Sequence, residues 1–357
     1  MNIRSFKYML PFGIFAGAWF SFGQNGWPIF LPLIYAFAFI PLVELLIPPD
    51  ARNMTEAEEA IAKKDPIYDL FLYLIVPLQY LGLFWFLSGI TDGGLLWWER
   101  MGRILSMGLL CGSFGINVGH ELGHRIKPYE QWMAKALLLT SLYTHFFIEH
   151  NKGHHKHVST PQDPSSAPLG MDLYRFWLRS VSGSWTNAWR IAAAELKKRG
   201  LPALHWKNEM LQLQLLQVAF LILIGTMFGW LACGYFVLAA IVGFLLLETV
   251  NYIEHYGLAR KLTANGMYER ALPAHSWNSD HVLGRLMLFE LSRHSDHHYL
   301  ASRKYQILRH HDDSPQLPTG YPGSMLLATL PPLWFHIMHK RIHEFKSKAS
   351  HPINSVV

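Results

Sequence analysis

The segment GRILSMGLLCGSFGINVGHELGHR, residues 102–125, decides how the chain is read. Residues 102–119 are predominantly apolar, with Arg103 the one charged residue, and approach the ~20 residues that a membrane-spanning helix needs. His120-Glu121-Leu122-Gly123-His124 follows without a break, and its i, i+4 spacing puts both imidazoles on one helical face. A helix that carries paired metal-binding side chains to a membrane boundary thus organises the rest.

Working outward, further apolar runs occupy 6–22, 28–47, 67–88, 211–231 and 234–254, which predicts about six transmembrane helices. The composition agrees, with 51% AVILMFWYC against 16% charged residues in 357, and excludes both a disordered chain and an ordinary soluble one. Turns near residues 23–26, 91–94 and 233–234 are short, whereas 48–66, 120–210 and 255–357 are long and charged. Of the 31 Lys and Arg, only Arg100 and Arg103 fall near the short-turn face, so the long segments are expected in the cytoplasm. The same bias explains the net charge of +6 without nucleic acid. Cys111 and Cys233 cannot build a disulfide framework or an iron–sulfur cluster.

The expected architecture is an all-α integral membrane protein with a cytoplasmic, histidine-rich helical cap holding two metals. Its parts form one integrated domain: helices 1–4 in 1–119, two histidine boxes in 120–210, helices 5–6 in 211–254, and further histidine motifs with a C-terminal cap in 255–357. Gln131–Phe147 is read as re-entrant or interfacial, because a crossing there would separate His120 from His150. Segment 172–199, with Trp177, Trp185 and Trp189, is expected to lie in the headgroup region. Leu326–Met338, interrupted by Pro331-Pro332, is too short and broken to span.

Three more histidine groups follow. Glu149-His150-Asn151-Lys152-Gly153-His154-His155 pairs His150 with His154 at i+4, and His155 could face a neighbouring metal. His255 ends the sixth span, and His294, His297 and His298 share a turn in Arg293-His294-Ser295-Asp296-His297-His298. Nine imidazoles exceed the needs of one zinc and suit two metals, although imidazole alone does not choose among iron, zinc, copper and nickel. Carboxylates must orient such rings. Glu121, Glu149, Asp172, Glu254 and Asp296, together with Asp163, Asp280, Asp312 and Asp313, lie in or beside the clusters. His275 and His281 compete for ligand status and are placed behind the nine. The remaining histidines, among them His145, His310, His311, His339 and His351, are expected to be structural or exposed.

Taken alone, the HExxH string would suit an intramembrane zinc metalloprotease with Glu121 as general base, but the surplus of histidines argues against hydrolysis. A metal transporter would spread its ligands along a path through the bilayer, whereas these gather at one face.

The strings HELGHR, EHNKGHH followed by TPQDP, NYIEHYGL, HSWNS, LSRHSDHH and LPTGYPG together resemble the membrane-bound alkane 1-monooxygenases, in the histidine-box superfamily that also contains membrane fatty acid desaturases. The likeness covers most of 120–332 and only hydropathy before that. It implies a non-haem di-iron enzyme with two irons (Fe2+/Fe3+) held by His120, His124, His150, His154, His155, His255, His294, His297 and His298. It also implies hydroxylation of the terminal methyl of medium-chain n-alkanes to primary alcohols with O2. Electrons would come from rubredoxin, reduced by rubredoxin reductase with NADH, and the site would face the cytoplasm from a bacterial inner membrane. A xylene or fatty acid hydroxylase and an acyl desaturase are the neighbouring alternatives. Arg125, Ser292, His157 and His336 depart from the residues common in the family, and none removes a ligand.

The chemistry of the substrate agrees with that implication. An unactivated methyl group offers acid–base catalysis no proton or carbonyl to work on, so a strongly oxidising metal centre is required, and iron rather than zinc supplies one. An alkane dissolves in the bilayer and can reach a centre at the end of a helix bundle. Trp19, Phe20, Tyr35 and Phe37 are candidates for the closed end of an apolar channel. The basic residues Arg199, Lys304, Arg309, Lys340 and Arg341 could attract an acidic electron carrier.

Overall fold

The computed structural model describes residues 3–350; His351 lies outside them. The described residues are helical apart from loops and two isolated bridges. In chain order the helices are α1 (Phe12–Phe22), α2 (Trp27–Leu46), α3 (Glu56–Lys64), α4 (Ile67–Gly89), α5 (Trp97–Gly123), α6 (Pro128–Leu139), α7 (146–157) and α8 (Leu173–Lys198). They continue as α9 (Glu209–Phe228), α10 (Trp230–His255), α11 (Val282–Met287), α12 (His294–Tyr299), α13 (Tyr321–Ala328) and α14 (Pro331–Ser350).

Five of these, α2, α4, α5, α9 and α10, are long and apolar enough to cross a membrane, and the chain is an integral membrane protein. The apolar run 6–22 differs from its expected single span. A 3-10 helix over Ile3–Met9 gives way at Leu10-Pro11 to the 11-residue α1. Proline has no amide hydrogen to donate into the turn before it, and 11 residues rise only about 17 Å against a hydrocarbon core of about 30 Å.

The centre of the bundle is the contact between α5 and α10, the helices that end in His124 and His255. Their glycines set the distance. A Cβ on Gly243 would stand 2.5 Å from the Cβ of Cys111, and one on Gly112 would stand 3.0 Å from the Gly243 carbonyl oxygen. Small residues allow such close backbone approach in the absence of a hydrophobic drive between helices in lipid. Gly243→Val is expected to destabilise the bundle by about 1–3 kcal/mol through overpacking. A lowered melting temperature in detergent, accompanied by loss of bound metal, checks this.

At the other end of α5, Arg103 donates to the carbonyls of Gly89 and Gln24, and Arg100 to those of Ile90 and Asp92. These two cations tie the short turns together.

Gln131–Phe147 does not cross. Helix α6 stops after 12 residues, and the chain turns through 140–145 into α7, so His120 and His150 stay at one end of the bundle. Helix α8 starts at Asp172, whose side chain accepts from the Arg175 amide at 3.0 Å. Its face of Phe176, Ser180, Ser184, Ala188 and Ala192 is buried, while Leu178 and Trp185 on the opposite face are exposed. It is therefore an amphipathic helix with a packed inner face. Pro331-Pro332 begins α14 rather than interrupting a helix, because proline fits the first helical turn. Trp334, Met338 and Ile342, at i+4 steps along α14, pack into the cluster around Tyr252 and Tyr256.

Candidate metal centre

The nine histidines of the four motifs come together in two groups at the end of α5 and α10. In the first group, the ligand-capable nitrogens of His120, His124, His150, His155 and His297 all lie within 4.8 Å of one another. In the second, those of His154, His255, His294 and His298 do the same. His124 and His155 are half-buried and the other seven are buried.

The pairing inside the second motif differs from the i, i+4 expectation. Residues 150–154 form a π turn, whose wider coil closes i to i+5 instead of i to i+4. His150 Nε2 therefore meets His155 Nε2 at 2.9 Å, while His154 points to the other group and meets His298 Nε2 at 3.2 Å. Helix α12 is divided in the same way. His294 and His298, at i+4, share the second group with Nε2 atoms 2.9 Å apart, and His297 enters the first, 2.9 Å from His120 and 3.1 Å from His155.

These contacts are unsuited to hydrogen bonding alone. An imidazole nitrogen carries one N–H or one in-plane lone pair, yet the Nε2 atoms of His150, His155 and His297 each have two imidazole neighbours at 2.9–3.2 Å. A shared cation serves every contact at once. Nitrogens at about 2.1 Å from one ion and at right angles about it lie about 3.0 Å apart. Burial supports the same assignment, holding His150, His294, His297 and His298 well below the usual imidazole range and pulling His155 down to about 3. These rings are neutral at pH 7, with a lone pair free to bind metal. The donor set fits two metal ions.

Residues 95–325 match the fatty acid desaturase family. Over 93% of its length the chain is 42% identical to alkane 1-monooxygenase 2 of Pseudomonas aeruginosa, covering 89% of that protein. It is 39% identical to alkane 1-monooxygenase 1 of Alcanivorax borkumensis, with 90% of this chain and 80% of the relative aligned. The chain belongs to the alkane 1-monooxygenase family. A xylene/toluene monooxygenase hydroxylase component of Pseudomonas putida is more distant, at 29% identity over 85% of this chain and 80% of the relative. Membership makes this monooxygenase an oxidoreductase, and its buried histidine groups are consistent with a di-metal site.

Around the rings of this alkane 1-monooxygenase family member, the carboxylates divide. Asp163 accepts from His154 Nδ1 at 2.9 Å and from the Ser166 hydroxyl at 2.6 Å. At His154 burial acts downward, but the Asp163 carboxylate outweighs it and the net shift is upward. At Asp163 burial acts upward, and His154 outweighs it to leave the group below the usual carboxylate range. Asp163 thereby fixes the ring with Nε2 turned into the second histidine group. Asp163→Asn is expected to lower metal affinity about 10–100-fold, which equilibrium dialysis against ferrous iron would measure.

Glu254 Oε2 lies 3.2 Å from His294 Nε2, and the Tyr321 hydroxyl donates to Oε1 at 2.7 Å. His275 contributes through its main chain, which hydrogen-bonds His255, while its own ring faces Glu269. Glu149 accepts from Asn187 at 3.1 Å and contacts no ring nitrogen by hydrogen bond.

Four sequence-predicted neighbours of the rings are placed elsewhere. Glu121 pairs with Arg125 at 2.7 Å, Asp172 caps α8, and His281 meets Ser279. Asp296 is turned away from the metal groups and accepts from His311 and Arg303. Glu121 and Asp296 sit beside site histidines on helices that turn their side chains away, whereas Asp172 and His281 stand at helix N-caps outside the site. Lys304 and Arg309, read as part of a carrier-docking surface, are engaged by Asp69 and Glu59.

A narrow apolar cavity of about 70 Å³ lies among α1, α2, α5 and α10. Its wall includes Ala36, Phe37, Leu109, Asn117, Leu246 and Leu291. Asn117 lies one turn before His120 on α5, and Leu291 lies in the turn that leads into α12, so the cavity shares two of the segments that carry the histidine groups. Of the four aromatics read as a closed end, Phe37 alone lines it; Trp19 and Phe20 are exposed on the outer face, and Tyr35 stacks on Phe39.

Proposed function

We propose that the protein is an iron-dependent monooxygenase that converts medium-chain n-alkanes to primary alcohols, with the nine histidines as ligands to two irons. The observation that carries this reading is the pair of buried imidazole groups at the end of α5 and α10, the same two helices that line an apolar cavity. Bound iron supplies the O2-derived oxidant needed to break an unactivated C–H bond. The reaction balances as alkane, O2, two electrons and two protons giving alcohol and water.

The chain's own residues position the substrate and keep water out. Leu246, Leu291 and Phe37 bury the hydrocarbon, and the predominantly apolar wall, with Ser113 and Asn117 its polar members, favours an end-on chain with its methyl toward the histidines. A second apolar groove, lined by Trp177, Val242 and Leu326, shares Phe37, Leu246 and Met325 with the cavity. Those three side chains form a partition through which substrate would arrive from the bilayer.

Rubredoxin, kept reduced by its reductase and NADH, is proposed as the electron donor. The bacterial inner membrane is proposed as the location, with the metal site on the cytoplasmic side, in accord with the excess of Lys and Arg on that face. Membranes supplied with ferrous iron, rubredoxin, its reductase, NADH and octane under labelled dioxygen are expected to yield 1-octanol carrying one labelled oxygen. Absence of oxygenated octane, with both irons bound and electrons delivered, would turn the reading toward a desaturase. Preferential oxidation of xylene would turn it toward an aromatic methyl hydroxylase.

A further inference from the structure

Two divalent cations bring four positive charges into a site whose nine imidazoles bring none. Charges taken out of water this way are costly unless they are paired. Four carboxylates surround the site at 1% exposure or less, Glu149, Asp163, Glu248 and Glu254. Among the described residues none of the four forms an ion pair with a lysine or arginine, and Arg179 donates to the backbone carbonyls of Asp163 and Ser166 instead. Other buried carboxylates of the cap have such partners: Glu121 has Arg125, Asp296 has Arg303 and Glu290 has Arg285.

Glu248, like Glu149, makes no hydrogen bond to a histidine ring among the described residues. It lies seven residues, two turns, before His255 on the same face of α10. Its Oε1 accepts from the Tyr143 hydroxyl at 2.7 Å, and its Oε2 accepts from the Ser180 hydroxyl and from Asn251 Nδ2 at 3.2 Å. Three donors converging on one carboxyl group, with none of its oxygens facing an acceptor, suit the ionised form. The Ser180 hydroxyl meets that of Ser165 at 3.2 Å, and the Ser165 amide donates to Asp163 Oδ1 at 3.0 Å. This chain connects Glu248 to the residue that orients His154.

We propose that Glu248, with Glu149, Asp163 and Glu254, supplies the negative charge that balances two divalent cations among neutral imidazoles. Glu248 is thus a positioning residue that sets the affinity and reduction potential of the centre from outside it. The inference rests on two divalent cations occupying the histidine groups, and it does not depend on which metal is native.

Cobalt(II) titration of the full chain in lipid nanodiscs tests it. Glu248→Gln, which keeps the shape and removes the charge, is expected to weaken cobalt binding at least tenfold. Glu248→Asp, which keeps the charge, is expected to stay within threefold of the unaltered protein. Glu149→Gln, with a different set of hydrogen-bond partners, is expected to repeat the loss. Glu130→Gln, at a buried carboxylate bonded to Tyr73 away from the site, is expected to change nothing. In iron-loaded protein the Gln variants are expected to favour the reduced state at least tenfold, an upward shift of about 59 mV for one electron.

Unchanged cobalt affinity in both Gln variants would overturn the proposal. So would an equal loss in Glu248→Asp, which would assign the effect to hydrogen-bond shape rather than charge. An unaltered protein that binds no cobalt and no iron would instead remove the two-cation reading on which the inference stands.

Discussion

His297→Ala is expected to abolish 1-octanol formation and to reduce bound iron from two ions to at most one per chain. His297 Nε2 contacts the nitrogens of both His120 and His155, so it joins the end of α5 to α7 inside the first group. It is also three residues from His294 and adjacent to His298, which belong to the second group. Truncation opens one cation's shell and loosens the turn that serves the other. Metal analysis beside product analysis checks this. Two tightly bound irons together with full loss of activity would show that His297 acts on the reaction without holding metal.

The second large effect is expected on substrate length. Ala36 on α2 and Leu109 on α5 both stand in the cavity wall, and Leu109 is 11 residues before His120. At 1.5 Å per residue this places it about 16 Å along the axis from the metal end. Ala36→Trp fills that remote part and leaves the end nearer Asn117 open. Hydroxylation of octane and longer alkanes is expected to fall at least about 100-fold, the scale of loss that a misplacement of about 1 Å produces at a reacting centre. Butane, which needs only the inner end, is expected to keep most of its rate. Product yields across an alkane series decide the matter, and an equal loss at every length would show that the substitution disturbs the bundle.

Much of this architecture was legible from local sequence. Long apolar runs have one stable solution in a bilayer, so five of the six expected spans could be read from hydropathy, while the break at Leu10-Pro11 shortened the run 6–22. The nine histidines stood out because i+3 and i+4 spacing repeats at the ends of such runs. The division of those histidines between two groups was not legible. It depends on the π turn at 150–154, and nothing in HNKGH distinguishes a π turn from an α turn until the surrounding helices fix it. Carboxylate roles were equally hidden. Asp163 reaches His154 through the turn after α7, whereas Asp296, flanked by two site histidines in the sequence window, faces the opposite way. Glu248 carried no signal at all, because a single acid in a long apolar helix reveals its partners only after α8 and Tyr143 have packed against it.

The shared turns also govern how the centre fills. Residues 150–155 and 294–298 each send side chains to both histidine groups, so neither group can be organised without partly organising its neighbour. The first ion to arrive orders two turns that the second ion requires, lowering the entropic cost of the second event. A divalent-metal titration is therefore expected to be cooperative, with a Hill coefficient above one and few singly filled chains when metal is limiting.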